Sequence, residues 1–336
     1  MRQRRLLIPL IIFLAIIALG FSEVFSLMRA APQAAATTAA SPLITSTSVE
    51  QIANLLPSKT IAPTPTATAA SPIRFSGEAA FKHVTAQMNF GPRPVGSEAN
   101  IKTGNYIKDE LTKSGWQAEF QTFTYKGVTI RNVIGKAGVG KGSIIIVGAH
   151  YDTRPRADRD LNSPNAPMPG ANDGASGVAV LLELARVLDQ KNLKNEIWLA
   201  FFDAEDNGDL DGWEWIVGSS YMAKSLTTLP KAMILADMIG DADQQIYYDA
   251  SSDPLLSKEL FTIAAQLGYE KNFIPQVKYS MMDDHTPFLQ RGIPSVDLID
   301  FDYPYWHTTQ DTADKLSAAS LERVGRVIQA YIENGK

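Results

Sequence analysis

Four stretches of this chain are almost unbroken apolar runs, and each leads into acids or a histidine. They are "SIIIVGAH" (143–150), "EIWLAFFDAED" (196–206), "KAMILAD" (231–237) and "PSVDLIDF" (294–301). A strand with one wet face alternates apolar and polar residues. A continuous run marks a strand buried on both faces, as in a parallel sheet covered by helices. Between the runs lie segments with apolar residues at helical spacing: "GASGVAVLLELARVLDQ" (174–190), "GSSYMAKSL" (218–226), "DPLLSKELFTIAAQLG" (253–268) and "SAASLERVGRVIQAYIENG" (317–335). Strands alternating with helices predict an α/β fold, a single three-layer α/β/α domain around a mostly parallel sheet.

Upstream, "SGEAAFKHVTAQMNF" (76–90) starts like a capping box and continues with a helical apolar face. "EANIKTGNYIKDELTKSGW" (98–116) reads as a second helix stopping at Gly115. "QAEFQTFTY" (117–125) and "VTIRNVIGKA" (128–137) alternate like antiparallel strands, so the sheet is expected to be mixed. "QQIYYDA" (244–250) reads as one further strand. The folded unit is placed at 73–336, about 260 residues, enough to bury a full core.

The residues before it have another texture. Basic "MRQRR" precedes the apolar run "LLIPLIIFLAIIALGF" (6–21). Residues 1–30 are therefore expected to be a signal peptide or an N-terminal membrane anchor, with the remainder exported and extracytoplasmic. Residues 31–72 are rich in Ala, Thr, Ser and Pro and poor in large apolar residues, the composition of a disordered linker.

The polar residues at the strand ends carry the chemistry. Ligands of an open α/β sheet bind beyond the carboxyl ends of its strands. His150 and Asp152 follow the first run, Glu205 and Asp206 the second, Asp237 the third, Trp306 and His307 the fourth. Asp173 stands in "PGANDGASG", just before the long helix. Taken singly, such a carboxylate is a helix cap or a solvated loop residue, and Asp173 and Asp152 both suit that part. Taken together, five acids and two histidines converge on one sheet edge. Burying that much negative charge is costly without a cation. The chain has no cysteine, which excludes disulfides, thiolate nucleophiles and Cys-ligated zinc. His, Asp and Glu remain, a donor set suited to catalytic zinc. A net charge of −5 offers no basic field for nucleic acid. Of the other two histidines, His285 is expected to position its own loop and His83 to lie on the first helix.

"GPRPVGS", "GAHYDT", "PGANDGASGVAVLLELAR", "FFDAED", "ADMIG", "DDHTPFLQRGIP" and "WHTTQDT" fall in this order along the chain. In them the chain resembles a family of zinc-dependent exopeptidases that includes bacterial leucyl aminopeptidases and glutamate carboxypeptidase II. Its close relatives are the glutaminyl-peptide cyclotransferases (glutaminyl cyclases). The resemblance implies that 73–336 is a zinc-dependent catalytic domain acting on peptide N-termini, with two zinc ions in the aminopeptidases and one in the cyclases. It implies Asp173 as the ligand bridging two metals, Asp206 and His307 completing one site, and His150 and Asp237 the second where that site exists. Glu205 would be the general base and Asp152 the carboxylate orienting His150. The family usually has glutamate where this chain has Asp206, one methylene shorter.

Three features lean toward the cyclases. Trp306 precedes His307 where peptidases commonly have Tyr or Ile. "DDH" stands where peptidases more often have "SDH", and the aspartate before the histidine, Asp284, would join Glu205 and Asp237 in a proton relay. A tryptophan-containing insertion, "NGDLDGWEWIV" (207–217), follows the acid pair. "ANDGASG" and the full set of ligand positions lean toward a di-zinc aminopeptidase. Trp306, Trp213, Trp215 and Tyr305 are the candidate pocket aromatics; the alternative for each is simple packing. A non-catalytic binding module that kept the fold is a third reading, and the intact Glu205 and His307 speak against it.

Overall fold

The computed structural model describes residues 73–335. The N-terminal segment and linker lie outside them. No helix among the described residues is long and apolar enough to cross a membrane.

Helix α1 (Gly77–Met88) starts at Ser76, whose hydroxyl accepts the Ala79 amide, and α2 (Glu98–Lys113) starts at Ser97, which accepts that of Asn100. These caps satisfy amides that a first helical turn leaves free. Strands β1 (Gln117–Tyr125) and β2 (Val128–Ala137) form a hairpin. Then follow β3 (Ile144–His150), α3 (Ala175–Val187), β4 (Glu196–Phe202), α4 (Val217–Ser225), β5 (Ala232–Asp237), β6 (Ile246–Asp249), α5 (Pro254–Gln266), β7 (Phe273–Tyr279), a single turn α6 (Thr286–Leu289), β8 (Ser295–Ile299) and α7 (Ala318–Glu333).

The central sheet has the order β1-β2-β4-β3-β5-β8. β4, β3, β5 and β8 are parallel, and the β1–β2 hairpin joins β4 antiparallel, so the sheet is mostly parallel and mixed, as expected. Successive residues of its strands face opposite layers. Ile145, Val147, Ile197, Leu199, Phe201, Ile234 and Ala236 pack in the larger core with α1, α2, α3, α5 and α7. Ile146, Ala200, Phe202, Met233 and Leu235 pack against α4 and α6 on the other face. Burial of a large aliphatic or aromatic side chain stabilises by roughly 1.5–3 kcal/mol, and this two-sided demand is why the runs carry no alternation.

The segment "QQIYYDA" is a strand but does not enter the central sheet. Its β6 pairs in parallel with β7, a strand not anticipated from the sequence, in a separate two-stranded sheet. β7 is largely exposed and contains Pro275, which demotes a run in any strand reading. The four-residue α6 is too short to leave a period.

The chain passes from β3 to β4 on one side and then to β5 on the other. The order therefore reverses at β3, and His150 is its last residue. That crevice is where an open α/β sheet binds ligands. Gly177 lets α3 approach it: a Cβ there would lie 2.1 Å from the Ala236 carbonyl oxygen and 2.8 Å from the Ala149 Cβ.

Candidate metal centre

Every acid expected at the sheet edge is found there, and all are buried: Asp152, Asp173, Glu205, Asp206 and Asp237, with His150 and His307. Asp173 is not a helix cap. Gly174 occupies the N-cap of α3, and the Asp173 carboxylate turns into the crevice. Its Oδ1 lies 3.1 Å from His150 Nε2, and its Oδ2 lies 3.5 Å from His307 Nε2. His150 Nε2 is also 3.1 Å from Asp237 Oδ1, and His307 Nε2 is 3.0 Å from Asp206 Oδ1. Two triads result, His150–Asp173–Asp237 and Asp173–Asp206–His307, sharing Asp173.

These residues fit a bound cation. Asp173 Oδ2 and both carboxylate oxygens of Asp206 are buried with no hydrogen-bond partner. Leaving such groups unmatched costs several kcal/mol by ordinary reckoning, about 1–3 for each neutral group and more for a charge. Imidazole nitrogen and carboxylate oxygen are donors that suit zinc. The shorter Asp206 side chain still reaches, since its Oδ1 is the atom beside His307.

Backbone strain is concentrated around these ligands. Ala204 (φ 60°) precedes the acid pair, Met238 (φ 44°) follows Asp237, and His307 itself has φ 58°. Non-glycine residues in this region cost on the order of 1–3 kcal/mol each and persist where the surroundings over-determine them. Those surroundings are polar and buried. Asp152 accepts the amides of Glu205 and Asp206, both at 3.1 Å, and so fixes the acid-pair turn. The expected contact with His150 is loose, 3.6 Å from Nδ1, because the Asp152 oxygens are committed to those amides. The turn-capping reading of Asp152 is what the geometry supports.

Four supporting residues were not anticipated. Asp311 accepts the amides of Asn172 (2.8 Å) and Asp173 (3.1 Å) and the Tyr303 hydroxyl (2.8 Å). Arg93, from "GPRPVGS", is fully buried and donates to the carbonyls of Tyr151, Pro169 and Gly170. Arg154 makes a two-pronged pair with Asp158, both bonds 2.7 Å, and donates to the Asp206 carbonyl at 3.1 Å. Asp158 in turn faces His307 Nδ1 at 3.4 Å. "QDT" directly after the histidine motif was the available signal for Asp311. Nothing in spacing pointed to the other three.

Glu205 belongs to neither triad. Burial pushes its carboxyl well above the usual range, and Asp206, Asp283 and Asp284 add to this while His150 opposes it. The cleft it lines, about 160 Å³, also includes Asp173, Asp206, Asp237, Asp283, His307, Trp215, Trp306, Phe301, Ile299 and methionines 238, 281 and 282. The aspartate facing this cleft is Asp283, not Asp284. Asp284 is wholly buried behind it, because adjacent residues of the irregular turn before α6 point opposite ways. Burial and the neighbouring Asp237 raise the Asp283 pKa to about 7.

The aromatics divide. Trp306 and Trp215 line the cleft, and Trp215 lies nearly parallel to the His307 ring at 6.1 Å. Trp213 does not; it packs with Tyr125, Ile130 and Val217 beneath the hairpin. Tyr305 does not either; it stacks on Tyr303 and under Lys315. His285 is buried against Ser251 and Asp249, and His83 bonds Tyr106 on the far side, as expected of each. A larger groove of about 420 Å³ lies against Trp198 and Leu226 and contains no histidine.

The peptidase family M28 model matches residues 132–332, which contain every ligand position above. The chain belongs to peptidase family M28. Among M28-like structures, the glutaminyl cyclase of Porphyromonas gingivalis is 32% identical with a TM-score of 0.74, covering 79% of this chain and 100% of that one. A Zn-dependent exopeptidase of Parabacteroides distasonis is 30% identical at the same TM-score, 0.74, covering 79% and 100%. The Escherichia coli (strain K12) protein YfbL is 30% identical over 275 residues, 73% of this chain and 84% of that one. The chain is thus equally like an M28 cyclase and an M28-like exopeptidase in fold.

Proposed function

We propose that the chain is a zinc enzyme acting on peptide N-termini, and that it converts an N-terminal glutamine to pyroglutamate with release of ammonia. One observation carries the reading: Glu205, a buried carboxylate belonging to neither ligand triad, shares a small aromatic- and methionine-walled cleft with Asp283 and Trp306. Zinc, held by Asp173, Asp206 and His307, would polarise the γ-carbonyl of the glutamine. Glu205 takes a proton from the α-amine as its nitrogen attacks the γ-carbon, and delivers it to the departing amide nitrogen. A C–N bond forms, another breaks, and no water is consumed. A carboxylate whose pKa is raised by burial is suited to both halves of that transfer. Asp283 and Asp237 keep the relay charged, and the apolar wall excludes water.

A second reading has its own support. The His150–Asp173–Asp237 triad offers a second metal position. With both filled, Glu205 would instead serve as base for a water attacking the first peptide bond of an aminopeptidase substrate.

The test is metal content together with a paired assay. One zinc per chain and ammonia from a Gln-initiated peptide supports the cyclase. Two zincs and a free amino acid from a Leu-initiated peptide replaces it with the aminopeptidase. A folded, zinc-free, inactive protein refutes both. The proposal extends to an extracytoplasmic location, from the basic and apolar start of the chain. Recovery of the full-length protein in the cytosolic fraction would overturn that part.

A further inference from the structure

A guanidinium stands at the mouth of the cleft. Arg159 lies between β3 and α3, and its amide donates to the His307 carbonyl at 3.2 Å. Its guanidinium carbon is 4.0 Å from the centre of the Trp306 ring. The residue is exposed. Other cations of these loops are matched with acids: Arg154 with Asp158, Arg156 with Asp211, Lys278 with Asp302 and Lys315 with Asp314. Arg159 makes no ion pair among the described residues.

The charge inside the cleft has the opposite sign, with Asp173, Glu205, Asp206, Asp237 and Asp283 along its lining. A peptide entering amine-first puts its cationic end among carboxylates. Whatever follows its first residue then lies toward Trp306 and Arg159. A guanidinium stacked on an indole is held in a defined plane and is weakly hydrated, and its in-plane N–H groups remain free to grip a carboxylate with two bonds.

We propose that Arg159 is a specificity-determining residue that favours substrates carrying a carboxylate just beyond their first residue. The inference rests on the proposed action on peptide N-termini. Two sources share this chemistry: an Asp or Glu side chain at the second position, or the free carboxyl end of a dipeptide.

The experiment uses full-length, zinc-loaded protein. Binding is read by calorimetry in the Glu205→Gln background, and product formation separately in the wild type. Gln- and Leu-initiated tripeptide amides with Glu, Gln or Lys second, and dipeptides as acid or amide, give the arms. An exposed ion pair supports a preference of about 2–5-fold for the anionic member, weakening at high salt. Arg159→Gln removes the preference, and Arg159→Lys keeps part of it. A Glu-to-Lys ratio unchanged by Arg159→Gln overturns the proposal. So does an equal loss on all peptides, which would mean that Arg159 only props Trp306. Charge-dependent binding without any product refutes the catalytic reading and supports Arg159. Product with charge-blind binding does the reverse, and no binding of any peptide overturns both.

Discussion

Replacing Gly177 with alanine sets two effects of opposite sign against each other. Gly177 is the third residue of α3, where alanine is ordinarily better than glycine by about 1 kcal/mol. Here the added Cβ would lie 2.1 Å from the Ala236 carbonyl oxygen and 2.8 Å from the Ala149 Cβ. An ordinary C···O approach is about 3.3 Å, so α3 has to retreat by about 1 Å. Overpacking of that kind costs typically about 1–3 kcal/mol, which outweighs the gain in helix propensity. The location matters more than the cost. Ala236 precedes Asp237, Ala149 precedes His150, and α3 begins just after Asp173. The retreat therefore pulls Asp173 away from both neighbours. Metal–ligand distances tolerate about 0.2 Å, so a shift of about 1 Å lowers zinc affinity at least tenfold. Chelator competition gives the affinity, and denaturant unfolding of the metal-free protein gives the stability. A Gly177→Ala protein that is more stable and binds zinc as tightly as the wild type would refute the argument.

Three other outcomes follow from the same geometry. Glu205→Gln retains zinc and lowers turnover by about 10²–10⁴-fold, the usual worth of a general acid–base; unchanged steady-state rates would remove Glu205 from the mechanism. Asp311→Ala strands the amides of Asn172 and Asp173 and the Tyr303 hydroxyl in a buried setting, each worth about 1–3 kcal/mol. An unfolding free energy within error of wild type would contradict that count. The third concerns pH. In the metal-free protein, burial lowers the His307 pKa but Asp206, Asp158 and Asp173 more than offset this and raise it to about 9. The ring therefore keeps its proton through neutral pH, and that proton must leave before Nε2 can bind metal. Zinc affinity should rise with pH up to about 9, and binding at pH 7 should release protons. Calorimetry in buffers of different ionisation enthalpy reads the release, and buffer-independent heats would contradict it.

Much of the fold was legible because burial on two faces writes unbroken apolar runs, and because helices write a period. The ligands were legible for a related reason: the last residue of a parallel strand points at the crevice, so His150 and Asp237 follow from the strand ends themselves. Irregular turns carry no such rule. The choice between Asp283 and Asp284 depends on a turn whose neighbours alternate direction, and the wrong member was anticipated. The insertion after Asp206 contains Asp209, Asp211, Gly212 and Ile216 with positive φ, so nothing in its order of residues revealed that Trp215 faces the cleft and Trp213 the hairpin. Arg93 and Arg154 act through carbonyls of distant loops, contacts that only the folded chain brings together.

The central claim is that Asp173, Asp206 and His307 hold a zinc ion, with Glu205 beside it and unligated. Anomalous diffraction at the zinc edge from crystals of the zinc-loaded protein tests it most directly. The account predicts a peak about 2.0–2.2 Å from His307 Nε2 and from one oxygen each of Asp173 and Asp206, with Glu205 outside the coordination shell; a second peak at His150 and Asp237 would decide for two metals. Zinc bound elsewhere, or Glu205 in place of Asp206 as ligand, would contradict it.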